Sequence, residues 1–264
     1  VADEVIDLIE KAQQPDGYVN TYFTVKATEQ RWTNLRDLHE LYCAGHMIVV
    51  AVAYFNGTGK RKLLEVACRF ADYIESVFGT EPGEKKGYDG HAEIELALVR
   101  LYHVTGEKRY LNLSKYFIDE RGQVPHFFDI EEEERRKADQ PQKYDYSYYQ
   151  AHMVEYDYTY HQAHTPVRQQ TTADGHAVRA MYLYSGMIDI AAHTGDESLY
   201  KACKQIWENI IGKRMYITGG IGSIAHGEAF TFNYDLPNDK AYAETCAAIG
   251  LIFFANRMLQ YEVD

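Results

Sequence analysis

The chain has 264 residues, of which 46% are apolar and 25% charged, a composition typical of a globular protein with a sizeable core. Its formal net charge of −12 argues against nucleic acid as a partner. Its apolar runs are shorter than the about 20 residues that a membrane-spanning helix needs, so we expect no membrane association.

In chain order, a short helix near residues 3–13 is followed by three predicted helical hairpins, over residues 34–79, 90–122 and 175–212. In each hairpin, apolar residues recur at helical spacing, a Thr-Gly pair ends the first helix, and the second helix runs to a glycine. The Thr-Gly pairs are Thr58-Gly59, Thr105-Gly106 and Thr194-Gly195, and the terminal glycines are Gly79, Gly122 and Gly212. A last helix is expected from about residue 245, without a partner helix in this chain.

The hairpins recur at about 45 residues, which favours stacked helical pairs in a solenoid or a closed barrel. The first helices are apolar nearly all round, so we expect each to be buried on both sides, as in the inner ring of a barrel. We therefore predict an all-α fold, an (α/α)6 barrel over residues 1–264. The barrel is expected to be incomplete in this chain, because six hairpins need more residues. Between residues 122 and 169, the acidic run EEEERRK and a Tyr-rich segment predict a long, mostly irregular excursion.

Histidines recur near the start of the first helix in all three hairpins: His39 and His46, His91, and His176. In a barrel, the equivalent ends of the inner helices meet at one mouth. We therefore expect these histidines to face a common pocket, although a single histidine in such a place is more often structural.

A glutamate and a cysteine stand two residues apart before the last helix, Glu244 and Cys246. Because the backbone there is not yet helical, the two side chains can converge. The helix N-terminus is expected to lower the pKa of the thiol. A divalent cation such as zinc binds both side-chain types. The alternative interpretation is a capping glutamate beside a small buried cysteine.

A third glutamate, Glu228, lies in HGEAF, after the glycine-rich TGGIGS. That stretch lacks the G-K-[ST] ending of a phosphate loop. A carboxyl group in such a loop is a candidate catalytic acid, and a merely solvated glutamate is the alternative.

The four cysteines are few and far apart, which argues against a disulfide framework and predicts a reducing, cytoplasmic location. The 23 tyrosines are compatible with a sugar ligand, although tyrosine also fills contacts between helices. A homodimer is left open.

Seven motifs together resemble the β-L-arabinofuranosidases of glycoside hydrolase family 127. In chain order they are HELYCAGH, GHAEIELALVRLY, QAHTPVRQQ, GHAVRAMYLYSGM, TGGIGS, HGEAF and AYAETCAAIG. The resemblance implies an (α/α)6 barrel followed by β-sandwich domains, which this chain lacks. It also implies retaining hydrolysis of β-L-arabinofuranosides and a zinc ion.

Position by position, the resemblance implies that Glu228 is the general acid/base and that Glu244 and Cys246 are zinc ligands. His176 and His91 match sugar-contacting residues, and a further one is His39 or His46. The family's remaining zinc ligands are two adjacent cysteines downstream, one of them the nucleophile, and this chain contains no such pair. Two alternatives are a metal-free sugar epimerase on the same kind of barrel and a non-catalytic carbohydrate-binding protein. An epimerase would have no use for the Glu244 and Cys246 pair.

Overall fold

The computed structural model describes residues 1–138 and 158–263. These residues form helices joined by turns, with no β-strand among them, so the all-α prediction is confirmed. They divide into two compact units, Val1–Glu120 and Arg121–Asp264.

The first unit is built on two of the predicted hairpins. Helix α5 packs against both α3 and α6, and α4 packs against α3 and α1. The helices of this unit are α1 (Ala2–Ala12), α2 (Thr21–Val25), α3 (Glu40–Thr58), α4 (Lys62–Val77), α5 (Ile94–Thr105) and α6 (Lys108–Glu120).

The two first helices of this unit differ in burial. Every residue of α5 from Ile94 to Val99 is buried, as predicted. The prediction is wrong for α3, which buries one side through Leu41, Ile48 and Ala51 but leaves Val50 57% exposed. By length and composition, α3 is also apolar enough to cross a membrane, a property that the core helices of soluble proteins share.

The second unit is built around α8, which packs against both α9 and α10. The α-helices that the structure describes in this unit are α7 (Phe127–Lys137), α8 (Ala177–Thr194), α9 (Glu197–Asn209) and α10 (Thr245–Val263). Helix α8 is buried over most of its length, in agreement with its apolar sequence. Helix α10 begins at Thr245, so Cys246 lies inside its first turn and not before the helix as expected.

The three Thr-Gly pairs end their helices as predicted. Helices α3, α5 and α8 each end at the threonine, and the glycine that follows is left-handed, with φ of 71°, 75° and 67°. Each threonine hydroxyl donates to the carbonyl oxygen four residues earlier, at 2.6, 2.8 and 2.7 Å. The recurrence is therefore a shared helix-ending device, because glycine adopts positive φ without steric cost.

Two predictions about helix bounds are wrong. Gly212 does not end the last hairpin, because the chain continues from α9 into a π-helical turn, Ile210–Arg214. The run EEEERRK belongs to α7, where Glu131 pairs with Arg135 at 3.0 Å and Glu133 with Lys137 at 2.8 Å. Acids four residues before bases stabilise a helix and also suit its dipole. The Tyr-rich part of the predicted excursion, over 139–157, lies outside the described residues.

Candidate active site

In the first unit, three of the predicted histidines surround one tyrosine. The ring centroid of Tyr42 lies 4.4 Å from that of His46, 4.4 Å from that of His91 and 5.3 Å from that of His39. The rings of His39 and His91 are 5.7 Å apart. These four residues, here called the histidine cluster, combine hydrogen-bonding nitrogens with an aromatic face, which is the chemistry that a sugar ring requires.

A buried glutamate anchors the cluster. Glu93 is 2% exposed, and its Oε1 lies 3.3 Å from Nδ1 of His46. Burial lowers the pKa of His46. Gly45 makes this approach possible, because a Cβ at that position would lie 2.6 Å from Cγ of Glu93. Helix α3 and the start of α5 therefore meet at a position that only glycine fits.

In the second unit, Glu228 ends a short 3-10 turn, His226–Glu228, in a left-handed conformation with φ of 50°. A non-glycine residue rarely adopts that conformation, and such strain is common at functional sites. Two backbone hydrogen bonds between Ile224 and Ala229, at 3.4 and 3.2 Å, enclose the turn. The Glu228 side chain is 42% exposed, so its carboxylate is both positioned and accessible.

His176 contacts this carboxylate and also caps α8. Its Nε2 lies 2.8 Å from Oε2 of Glu228. Its Nδ1 accepts hydrogen bonds from the backbone N–H groups of Val178 and Arg179, at 3.2 and 3.5 Å. Burial, followed by the charge of Arg179, lowers the pKa of His176 to about 4. The ring is therefore neutral at physiological pH, as its capping role also requires.

Glu228 has a second partner, Tyr242, which the sequence does not predict. The hydroxyl of Tyr242 donates to Oε1 of Glu228 at 2.8 Å. This hydrogen bond is the largest effect that raises the pKa of Tyr242 to about 12. Tyr242 stands 14 residues after Glu228, in a loop without helical or strand periodicity, so no sequence signal pointed to it.

Glu244 and Cys246 converge at the start of α10. The carbonyl oxygen of Glu244 accepts the first helical hydrogen bond, from Ala248 at 3.1 Å, so Glu244 stands at the helix cap. A hydrogen bond to Glu244, followed by burial, raises the pKa of the Cys246 thiol, so the expected lowering is wrong. The negative charge of the carboxylate disfavours a thiolate beside it.

The Glu244 and Cys246 pair offers suitable donors for zinc but an incomplete set. Oε2 of Glu244 is buried without a hydrogen-bond partner among the described residues. Carboxylate and thiolate are both zinc ligands, and a cation would satisfy that oxygen. No cluster of three or more potential metal ligands occurs within residues 1–138 and 158–263. Within the described residues, the pair therefore supplies two donors of the types that zinc binds and not a complete site.

The structure thus brings the predicted residues together in two sets. His39, His46 and His91 share the histidine cluster of the first unit. His176, Glu228 and Tyr242 are joined by hydrogen bonds in the second unit, which also holds the Glu244 and Cys246 pair. The expectation of one common pocket joins residues of both units and stays a prediction. The residues that the sequence analysis missed are Tyr42, Glu93 and Tyr242.

Comparisons with known proteins agree with these motifs. The family model for the β-L-arabinofuranosidase GH127 catalytic domain matches residues 1–264. The chain is 46% identical over 268 residues to a non-reducing end β-L-arabinofuranosidase of Bifidobacterium longum subsp. longum, covering 99% of this chain and 39% of that protein.

Solved structures show the same likeness. A GH127 β-L-arabinofuranosidase from Geobacillus stearothermophilus T6 matches all of this chain with a TM-score of 0.92 and 57% identity, over 40% of its own length. A second GH127 β-arabinofuranosidase matches 99% of this chain with a TM-score of 0.83 and 43% identity, over 38% of its own length.

The chain therefore spans about 40% of the length of these relatives. The (α/α)6 barrel expected from the hairpin repeat is consistent with these structures. The motifs, the fold and the full-length family match lead to one assignment: the chain belongs to the GH127 β-L-arabinofuranosidase family, within its catalytic domain.

Proposed function

We propose that the protein containing this chain is a retaining glycoside hydrolase that releases L-arabinose from β-L-arabinofuranosides. The observation that carries the proposal is the carboxylate of Glu228, which is 42% exposed and held at 2.8 Å by both His176 and Tyr242. Family membership favours this function over a metal-free epimerase or a carbohydrate-binding protein, because the relatives above are named as arabinofuranosidases.

In this proposal, Glu228 is the general acid/base. Its carboxyl group donates a proton to the glycosidic oxygen as the bond between that oxygen and the anomeric carbon breaks. The resulting carboxylate then takes a proton from the water that releases the sugar. Both steps require a carboxyl group that reaches the substrate, and the partial exposure of Glu228 meets that requirement.

Glu244 and Cys246 are proposed as two ligands of a zinc ion. Oε2 of Glu244 has no hydrogen-bond partner among the described residues, and Glu244 raises the pKa of the Cys246 thiol; both observations support this role. A bound zinc ion would keep its thiol ligands deprotonated and offset the repulsion between thiolate and carboxylate. The family resemblance implies that two adjacent cysteines outside this chain complete the site and that one of them is the nucleophile.

The histidine cluster and His176 are proposed to contact the sugar. Imidazole nitrogens can donate to or accept from hydroxyl groups, and an aromatic face such as that of Tyr42 can pack against C–H groups. His46 is paired with Glu93, while His39 lies beside His91, and both His39 and His46 stay in the proposal.

We also propose a cytoplasmic location. All four cysteines, Cys43, Cys68, Cys203 and Cys246, are free thiols, which agrees with a reducing compartment. The homodimer stays a prediction.

The test of the acid/base role is Glu228→Gln in the full-length protein, which keeps the side-chain size and removes the proton donor. We expect kcat/KM on a sugar-alcohol arabinofuranoside to fall by about 10²–10⁴-fold. On a nitrophenyl arabinofuranoside, the rate of the first step should fall less, because nitrophenolate leaves without protonation. Azide needs no base to attack the glycosyl-enzyme, so it should restore turnover on that substrate.

The matched control is Glu208→Gln, at an exposed position on α9. It should leave both activities and the azide response unchanged. Equal losses on the two substrates without azide rescue in the Glu228 variant would assign the acid/base role to another residue.

A further inference from the structure

The hydrogen bonds of His176 determine which of its nitrogens carries the proton. Nδ1 accepts from the N–H groups of Val178 and Arg179, so it has no proton of its own. In a neutral imidazole the proton is then on Nε2. His176 therefore donates from Nε2 to Oε2 of Glu228, at 2.8 Å. Reversing this bond would require a proton on Nδ1, which would abolish the cap of α8.

Tyr242 holds the other oxygen of Glu228 in a different way. Its hydroxyl lies 2.8 Å from Oε1, and a hydroxyl group can both donate and accept. When Glu228 is ionised, Tyr242 donates to Oε1. When Oε1 carries a proton, the hydroxyl rotates and still provides a partner. The two oxygens are thus inequivalent, because only the Tyr242 side accommodates both protonation states.

We propose that Oε1 of Glu228 is the atom that gives and takes the catalytic proton, and that Tyr242 is the positioning residue that holds it. This inference rests on the proposed function, since it concerns the same acid/base. Both ring nitrogens of His176 already bond within the protein, so a sugar hydroxyl that contacts His176 shares the Nε2 proton with Glu228. His176 keeps Oε2 an acceptor, and Tyr242 orients Oε1.

The backbone on both sides of the contact holds Tyr242 in place. The N–H of Tyr242 donates to the carbonyl oxygen of Ser223 at 3.4 Å, and that of Ala243 to Gly222 at 2.9 Å. Ala243 has a φ of 43°, and Glu228 has a φ of 50°. Both residues are therefore in the left-handed region, which costs free energy unless surrounding contacts enforce it. The Tyr242–Glu228 contact thus joins two loop segments, each of which contains a left-handed residue that its surroundings hold in place.

Several polar groups surround Glu228. His176 and Tyr242 touch its carboxylate, Arg179 interacts with His176, and Cys246 interacts with Glu228 through its charge. Tyr242→Phe removes the partner of Oε1 and leaves the contact between His176 and Oε2 in place.

The experiment is Tyr242→Phe in the full-length protein, with Tyr234→Phe as the matched control. Tyr234 is 68% exposed in the same loop, so its variant makes the same chemical change away from the carboxylate. We expect Tyr242→Phe to lower kcat on a sugar-alcohol arabinofuranoside by roughly 5- to 20-fold, with KM within about twofold of the wild-type value. On a nitrophenyl substrate, the decrease in kcat should be smaller.

The split between kcat and KM distinguishes positioning from a structural role. Loss of positioning slows proton transfer and leaves substrate binding in place, so Tyr242→Phe should change kcat more than KM. Tyr234→Phe should keep the wild-type values of both. Bound zinc should equal the wild-type amount, since the variant leaves Glu244 and Cys246 intact.

Three results would overturn the inference: kinetics of Tyr242→Phe equal to those of Tyr234→Phe, a loss carried by KM and not by kcat, or loss of zinc. Glu228→Gln measured alongside separates this failure from that of the proposed function. If azide rescues Glu228→Gln while Tyr242→Phe is silent, only the inference fails. If Glu228→Gln is fully active on both substrates, the proposed function fails as well.

Discussion

Single residues in this chain combine roles that are usually separate. His176 caps α8 through Nδ1 and orients Glu228 through Nε2. Glu244 stands at the cap of α10 and raises the pKa of the Cys246 thiol. In both cases a helix N-terminus fixes the backbone, and the side chain is then held in one direction. A helix start is suited to this purpose because its N–H groups need acceptors.

The first prediction concerns the two proposed zinc ligands. Glu244→Gln and Cys246→Ser in the full-length protein should each lower bound zinc, because tetrahedral sites need the full set of ligands. Inductively coupled plasma mass spectrometry on dialysed protein measures the zinc content. Cys43→Ser, at an exposed cysteine, is the control and should retain zinc. Zinc content equal to wild type in both ligand variants would contradict the assignment.

At the scale of helices, the close packing of α3 against α5 positions the histidine cluster. Helices α3 and α5 pack against each other within the first unit. Gly45 lies at their contact, opposite Glu93. Gly57 lies near the end of the same helix, and apart from the helix's own backbone no heavy atom of the described residues lies within 4 Å of where its Cβ would be. A side chain at Gly45 would therefore overlap Glu93, whereas a side chain at Gly57 would have free space, although both glycines occur in one apolar helix.

The second prediction uses this contrast. Gly45→Ala should destabilise the protein by about 1–3 kcal/mol, because the new methyl group overlaps Glu93. Gly57→Ala should stabilise it by about 0.5–1 kcal/mol, since alanine favours a helix and meets no neighbour. Thermal unfolding of the two full-length variants measures both effects. Equal changes in stability for the two variants would show that the approach of Gly45 to Glu93 does not limit the packing of α3 against α5.

At the scale of the whole molecule, pH links the site to stability. The folded protein holds His176 neutral, with a pKa lowered to about 4 by burial and by Arg179. The ordinary histidine pKa is about 6.5, so between these values the unfolded chain binds more protons. Stability should therefore fall as pH drops from about 6.5 towards 4.

The third prediction isolates this contribution with His176→Asn. Asparagine is a favourable N-cap residue but does not titrate. From pH 7 to pH 5, the free energy of unfolding of the wild-type protein should fall by about 2 kcal/mol more than that of the variant. Melting temperatures of both full-length proteins at the two pH values provide the comparison. Parallel decreases in the two proteins would mean that His176 is not held neutral.

Helix endings were predictable because they depend on local chemistry. The left-handed glycines after Thr58, Thr105 and Thr194 need only a flexible backbone and a neighbouring hydroxyl, and both are visible in sequence. The end of α9 was not predictable, since a π-helical turn through Gly212 depends on the surrounding packing. The helical start of the excursion, in α7, was visible in its Glu-to-Arg spacing and was missed.

The sequence by itself determined the all-α class, three helix endings and, through its motifs, the family and the positions of Glu228, Glu244 and Cys246. Only the tertiary structure decided that Tyr242 reaches Oε1 of Glu228 and that both nitrogens of His176 are occupied. Local patterns report periodicity and caps, because these act over a few residues. A hydrogen bond between loops depends on how distant segments pack and on strained backbone angles, and neither leaves a periodic trace in the sequence.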